Sequence, residues 1–323
     1  MRVLLTGGSG FLGRQILQIL ENGGDEVVIF DLSEPGPAIA KERGASYFRG
    51  DITSFDDVSE CISKNRVDGI IHAAAKLLGD QEDPLGTFRV NVLGLGNVLE
   101  AARKAQVSRM VSISTAGVYG KRPDLNPLPE DLPMTPEDTY EHTKALGEGL
   151  ARLYVDRYGL DVRVIRLPFL YGPRQHLVWP LNIVLYHAIK GKPLTLKQGG
   201  DYSLEYLHVQ DAAAGAVAAL RSDNATSRLY NIGTGRCVPV RDILRTAKRI
   251  FPGFDYNVGV GPWSSEALNA WVRGPLDVTR AKEELGFVAR YDLERGMRDL
   301  ASWEQVHLDE LERWPDSELW ILG

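Results

Sequence analysis

The apolar run Val3–Thr6 passes directly into Gly7-Gly8-Ser9-Gly10, which opens an amphipathic segment from Phe11 that keeps a further glycine at position 13. Gly8, Gly10 and Gly13 satisfy G-x-G-x-x-G, and Gly7, Gly10 and Gly13 satisfy G-x-x-G-x-x-G. The first glycines permit a tight turn, Gly10 lets a pyrophosphate approach the backbone, and Gly13 lets helix and strand pack closely. The amino end of the helix then offers N–H groups and a favourable dipole to phosphate oxygens. More than any other feature, this junction commits the chain to βαβ units and a parallel sheet.

The pattern continues through the first half. Strands are expected at Val3–Thr6, Glu26–Phe30, Tyr47–Arg49, Gly69–His72, Arg109–Ser114 and Val162–Leu167, with helices beginning near Phe11, Pro37, Phe55, Thr87 and Thr139. The fold class is α/β, a doubly wound parallel sheet of the Rossmann type over residues 1–167. Residues 207–235 return to it: Asp211 is read as the acidic N-cap of Ala212–Leu220, and Arg228–Ile232 as one more strand. Pro168, Pro173, Pro180 and Pro193, then Gly259–Pro262 and Gly274–Pro275, break the regular order. Residues 168–206 and 236–323 are therefore assigned to a smaller carboxyl-terminal substrate-binding lobe. The tail Trp314–Gly323 is read as a strap over its own domain, through Trp314, Leu319, Trp320 and Ile321.

Composition removes several function classes. A formal charge of −6, with scattered basic residues, gives no field to attract a nucleic-acid backbone. Cys61 and Cys237 stand far apart without metal-ligand spacing, so neither a disulfide framework nor a metal site is expected. MRVLLTGG is too short and glycine-rich for a secretory apolar segment, and no run is long enough to span a bilayer. A cytoplasmic location is the expectation.

Asp31, at the end of the second strand, can accept hydrogen bonds from the ribose hydroxyls of an adenosine while repelling a 2′-phosphate, which favours NAD over NADP. In the competing reading the glycines only shape a turn and Asp31 caps the next helix. Asp51 falls at the end of the third strand, near an adenine, or caps Thr53–Cys61, or does both. His72 ends a strand followed by small alanines along which a cofactor can run, and is itself read as a packed strand residue.

Tyr140 and Lys144 lie four apart in YEHTK and so share a helix face. Thr115 follows a strand that ends at the carboxyl edge of the sheet, where ligands bind in such folds. There Thr115 can hydrogen-bond a substrate oxygen while Tyr140 exchanges its proton. Lys144 is expected to lower the tyrosine's pKa and to help fix the nicotinamide ribose.

With these residues the chain resembles the extended short-chain dehydrogenase/reductase family, the NAD-dependent epimerases and dehydratases. TGGSGFLG, GDI at Gly50–Ile52, HAAA at His72–Ala75, NVLGLGNVLEAA at Asn91–Ala102, ISTAGVYG, YEHTK, RLPFLYGPRQ at Arg166–Gln175, LHVQDAAAG at Leu207–Gly215 and DVTRAKEELGF at Asp277–Phe287 follow in order over nearly the whole length. The resemblance implies Thr115, Tyr140 and Lys144 as the catalytic set. It implies cofactor contacts from Gly7, Gly10, Phe11, Leu12, Asp31, Asp51, Ile52, Ala73, Ala74, Ala75, Asn91 and Pro168, besides Tyr140 and Lys144. For Asn91 the alternative is a helix-interior amide that bonds its own backbone.

Departures from the family pattern bear on the reaction. Dehydratases of this family carry an acidic pair where this chain has Ala116 and Gly117, which disfavours dehydration. Sugar-nucleotide enzymes usually place asparagine at Phe169 and a diphosphate-clamping arginine at Leu204. A second arginine finds only Ser264–Ala267 at the matching distance. Arg174 and Arg273 could substitute, though an ordinary surface or interlobe role is the simpler reading. The leading expectation is thus NAD-dependent hydride transfer at a secondary hydroxyl of a sugar, sugar acid or other polyhydroxy compound without a nucleotide. The alternatives are a UDP-hexose type sugar-nucleotide 4-epimerase with tightly bound NAD, and a catalytically silent NAD-binding sensor. Substrate contacts are expected from Leu77, Thr115, Phe169 and Arg174, with Leu78, His176, Trp179 and Trp263 also able to line the cleft. The resemblance further implies a homodimer formed by pairing the helix after Asn91 with the helix bearing Tyr140, for which Val98, Leu99 and Ala102 on one and Leu146, Leu150, Leu153 and Tyr154 on the other could serve; burial against the chain's own sheet is the alternative for at least half of each set.

Overall fold

A computed structural model describes residues 1–33, 45–77, 83–122, 124–175, 180–262 and 272–307. The helix expected from Pro37, together with Leu78, His176, Trp179, Trp263, Ser264–Ala267 and the tail Trp314–Gly323, lies outside the described residues.

Six strands follow the expected order: β1 (Arg2–Thr6), β2 (Glu26–Asp31), β3 (Ser46–Arg49), β4 (Gly69–His72), β5 (Arg109–Thr115) and β6 (Val162–Leu167). Four short strands come from the next stretch, β7 (Phe169–Tyr171), β8 (Leu194–Leu196), β9 (Ser203–Leu204) and β10 (Tyr206–His208), followed by β11 (Leu229–Asn231), β12 (Val238–Pro239) and β13 (Tyr256–Val258). The main sheet has seven parallel strands in the order β11-β6-β5-β4-β1-β2-β3. Its central strands are buried on both faces, which is why Val3–Leu5 and Gly69–His72 read as unbroken apolar runs rather than alternating ones. The strand order reverses between β1 and β4, where Thr6 pairs with His72. In doubly wound sheets the crevice outside such a reversal is the ligand site.

The helices are α1 (Phe11–Asn22), α2 (Phe55–Asn65), α3 (Pro84–Phe88), α4 (Gly94–Lys104), α5 (Thr139–Tyr158), α6 (Pro180–Lys190), α7 (Val209–Arg221), α8 (Val240–Ile250), α9 (Thr279–Leu285) and α10 (Leu293–Val306). Ile16, Leu17 and Leu20 of α1 meet Ala212 and Ala216 of α7 in one core. Val58, Ile62, Val98 and Leu99 of α2 and α4 form the core with the opposite set of strand residues. A third cluster joins α6, α8 and α10 to β8, β9 and β10.

Three local expectations are corrected. The helix placed near Thr87 starts at Pro84, because Asp83 accepts a hydrogen bond from the Gly86 N–H at 2.9 Å and proline suits a first turn; it then runs through a π turn, Arg89–Leu93, into α4. Asp211 is not an N-cap: His208 takes that position, and Asp211 in the first turn accepts from the backbone N–H groups of Arg290 and Tyr291 at 3.0 and 2.9 Å. Nor does Asp51 cap α2. Ser54 does, accepting from the Asp57 N–H at 3.2 Å, while Asp51 closes a turn onto Thr53.

Among the described residues no helix is long and apolar enough to cross a membrane, and no cluster of side chains could hold a metal ion.

Candidate active site

The glycine loop forms the first wall. Gly7 has φ +71°, and a Cβ on it would come within 2.7 Å of the Ala74 N, so the loop and the chain leaving β4 lie against each other only because position 7 has no side chain. Gly13 is seated on the Gly7 carbonyl and the Gly8 Cα with no room for a methyl group. Among the described residues no side chain caps α1, so the N–H groups of its first turn, at Phe11 and Leu12, have no capping side chain. Asp31 ends β2 and accepts from the Ser9 N–H at 3.1 Å, tying the loop to the carboxylate at the end of β2. This cradle of small residues, helix N–H groups and one carboxylate fits NAD: Gly7, Gly10, Phe11, Leu12, Asp31 and Ala73–Ala75 would hold it.

Two residues support the cradle from behind. His72 shares a hydrogen bond with the Thr6 hydroxyl at 2.8 Å, and burial, reinforced by Lys144, holds its pKa down at about 3, so it is a neutral packed residue. Asn91 is buried in the π turn with its amide fully engaged: Oδ1 accepts from the Lys76 N–H at 2.8 Å, and Nδ2 donates to the Lys76 carbonyl and the Thr143 hydroxyl, each at 3.0 Å. Its bonds therefore go not to its own helix but to the segment following β4 and to α5. Ile52 is buried in the α2–α4 core, and Asp51 stands half-buried beside it.

Thr115 is the last residue of β5, paired with Leu167 of β6. Its Oγ1 accepts from the Gly117 N–H at 3.1 Å, at the start of a 3-10 turn spanning Ala116–Tyr119. Tyr140 and Lys144 share a face of α5, whose N-cap Asp138 accepts from the Glu141 N–H at 2.7 Å. Lys144 Nζ donates to the Ile113 carbonyl at 2.9 Å and lies 5.7 Å from the centre of the Tyr140 ring. Burial pulls the Lys144 pKa down to about 8, against an opposing pull from Glu148.

The expected lowering of the tyrosine is not what this structure shows. Burial raises the Tyr140 pKa, and Asp138 and Glu141 add to the rise. The ammonium bonds a strand carbonyl instead of the phenol, and the two carboxylates at the start of α5 oppose its field.

Behind Lys144, Glu148 is held by Arg166 through Nε at 3.0 Å and Nη2 at 2.7 Å, and by the Ser114 hydroxyl at 2.6 Å. Arg166 also sits over the Tyr119 ring, 4.6 Å from its centre. Both partners are buried, and the Glu148 carboxylate that Arg166 holds is also the charge that opposes the effect of burial on Lys144.

Thr115, Tyr140, Pro168 and Phe169 line one cavity of about 70 Å³. Leu77 and Arg174, expected to touch substrate, are exposed and outside its lining; Arg174 instead faces Arg14 of α1 electrostatically. Leu204 is buried in the cavity wall, so the position that a clamping arginine would hold is apolar here.

Arg273, named from sequence as a possible substitute for the absent clamping arginine, also lines it, together with Asp138, Glu141 and Glu205, which sequence reasoning missed. Arg273, read from sequence as a surface or interlobe residue, is 7% exposed, its Nη1 donating to the Ala116 carbonyl at 2.7 Å. Glu141 had no sequence signal beyond adjacency to Tyr140, since an acid in a first helical turn is usually a solvated charge. It is nevertheless buried, and a Cβ at position 117 would come within 2.7 Å of its Oε1, so its carboxylate occupies the space left by Gly117.

A sequence profile of the NAD dependent epimerase/dehydratase family matches residues 3–233. The dTDP-glucose 4,6-dehydratase of Streptomyces griseus is 30% identical over 314 residues, covering 94% of each chain. The UDP-glucose 4-epimerase of Thermotoga maritima, solved with UDP-glucose, superposes with a TM-score of 0.84 at 26% identity over 95% of this chain and 100% of that one. The UDP-glucose 4-epimerase of Thermus thermophilus, solved with NAD, gives 0.79 at 30% identity over 94% and 98%. The glycine cradle, the Thr115, Tyr140 and Lys144 set and these likenesses agree: the chain is an enzyme of the NAD-dependent epimerase/dehydratase family, and its cofactor is NAD.

Proposed function

We propose that the enzyme oxidises and then re-reduces one secondary hydroxyl on the sugar of a sugar nucleotide, so that the net reaction is an epimerisation. The observation that carries this reading is that Thr115 and Tyr140 line one cavity with the Lys144 ammonium behind the tyrosine. NAD, when bound, supplies a hydride acceptor that becomes the hydride donor. The Thr115 oxygen already accepts from Gly117, so its own proton is left to donate to the substrate oxygen and orient it. Tyr140 takes the hydroxyl proton as the carbonyl forms and returns it on reduction. Ala116 and Gly117 supply no acid to expel water, which favours epimerisation over the dehydration named for the Streptomyces relative.

In this reading residues 1–167 and 207–235 carry the cofactor, while 168–206 and 236–323 form the substrate side. The face of α5 bearing exposed Leu146 and Leu153 pairs with a second copy, in the cytoplasm. The test is to incubate the enzyme with UDP-glucose and follow both UDP-galactose and NADH. Interconversion without accumulating NADH is expected, with a loss of about a thousandfold in Tyr140→Phe.

A second reading is favoured by the apolar wall at Leu204: an NAD-dependent dehydrogenase acting on a sugar or sugar acid without a nucleotide. Release of one NADH per free sugar consumed, with no turnover of nucleotide sugars, would put it first.

A further inference from the structure

Arg273 reaches the cavity from the segment beside α9 and touches both catalytic elements. Its Nη1 bonds the carbonyl of Ala116, next to Thr115, and its Nη2 lies 3.7 Å from Oε1 of Glu141, next to Tyr140. The Arg273 Nε is buried and has no hydrogen-bond partner among the described residues. A guanidinium presents a planar fork suited to a bidentate oxyanion, and here one arm of that fork is orphaned while the other is held beyond hydrogen-bond distance.

Glu141 is loosely held in the same way. Its Oε2 accepts from the Glu137 N–H at 2.8 Å, while Oε1 has Arg273 as its ion-pair neighbour. The other charged or titratable groups nearby are Glu137 and Asp138 at the start of α5, Tyr140 and Lys144 on the helix itself, and Tyr202, Glu205 and Cys237 from the lobe, the Cys237 thiol donating to the Arg273 carbonyl at 3.6 Å. Lys144 is committed to Ile113, and Glu205 to the N–H groups of Thr234, Gly235 and Leu276. Arg273 and Glu141 are thus partners that leave each other unsaturated.

We infer that Arg273 reads an oxyanion of the substrate, a carboxylate or a phosphoryl oxygen, and that Glu141 takes up one proton from solvent as the oxyanion binds. The guanidinium passes from the weak internal partner to the ligand, and the proton removes the carboxylate's competing charge. No covalent bond forms or breaks. Burial already raises the Glu141 pKa, so protonation is the smaller change there. The inference rests on the sugar-substrate reading above and adds which residue meets an anionic group of that substrate, whether on its sugar or in its diphosphate. Because a proton enters with the ligand, affinity falls as pH rises, by up to about tenfold per pH unit where Glu141 is otherwise ionised.

The experiment is calorimetric titration of the NAD-loaded enzyme with UDP, UDP-glucose, UDP-glucuronate and free glucuronate, in two buffers of different ionisation heat. Uptake of about one proton with the two glucuronates alone assigns the site to a carboxylate, and uptake with UDP and UDP-glucose as well assigns it to phosphoryl oxygens. Arg273→Lys should weaken the oxyanion ligand by about tenfold. The near-isosteric Glu141→Gln should abolish proton uptake and flatten the pH dependence, which keeps the test decisive if Arg273→Lys fails to fold. Binding without proton uptake, unaltered in Glu141→Gln, overturns this inference and leaves the sugar-nucleotide reading standing. Failure of every ligand to bind overturns both.

Discussion

Lys144 donates to the carbonyl of Ile113 at 2.9 Å, which moors a buried ammonium to strand β5 beside the Tyr140 ring. The Lys144 ammonium is thus fixed by the sheet rather than by the Tyr140 phenol.

That arrangement should cost stability. Burial lowers the Lys144 pKa to about 8 from its ordinary 10.5, so the folded chain binds this proton less tightly than the unfolded chain does. The penalty is complete below pH 8 and is relieved as pH rises from about 8 to 10.5. Lys144→Met should therefore raise stability near neutral pH by about 2 kcal/mol, after losing the bond to Ile113, and the gain should vanish at alkaline pH. Urea unfolding at two pH values checks this.

The same two groups shape the pH profile. Tyr140 is protonated at neutral pH, as any tyrosine is, and burial raises its pKa further, so hydroxyl oxidation, which needs the phenolate, should accelerate as pH rises. Lys144 loses its charge near pH 8, which should set the alkaline limb. Single-turnover rates should peak near there, and Lys144→Arg should carry that limb to higher pH because a guanidinium stays charged.

Removing Glu148 leaves Arg166 buried without its carboxylate. Glu148→Ala should cost about 3–5 kcal/mol, and Glu148→Leu combined with Arg166→Met should recover most of it, since two well-packed apolar side chains can replace a buried pair. A double-mutant cycle by chemical denaturation measures the coupling.

The residues named for a dimer contact divide into buried and exposed sets. Val98, Leu99 and Ala102 are fully buried against the chain's own sheet, whereas Leu146 and Leu153 are 53% and 50% exposed. Leu146→Asp should shift a dimer to monomer in light scattering with little change in monomer stability, because the site is already wet.

The sheet was legible because its strands obey a simple rule, apolar where both faces are covered, with glycine where loop and helix must touch. Gly7 and Gly13 announced the turn that the structure contains, and the Tyr140 to Lys144 spacing announced one helix face. What stayed hidden were long-range pairings. Asp211 looks like a cap because it precedes an alanine run, and only the chain at Arg290–Tyr291 reveals its actual bonds. Arg273 lies 157 positions from Ala116 in sequence, a separation that carries no local pattern. The direction of the Tyr140 shift was misjudged for the same reason: it depends on where the Lys144 ammonium ends, not on how far apart the two residues are spaced.

The vacant side-chain position at Gly117 constrains how such a site can change over evolutionary time. Because the Glu141 carboxylate fills that space, any side chain added at 117 meets it before meeting a ligand. A mutation at 117 made first is penalised, whereas the same mutation after Glu141 has become a smaller residue is tolerated, so the two positions depend on each other. The path from this site to one with an acid at position 117 therefore runs through displacement or loss of the Glu141 carboxylate.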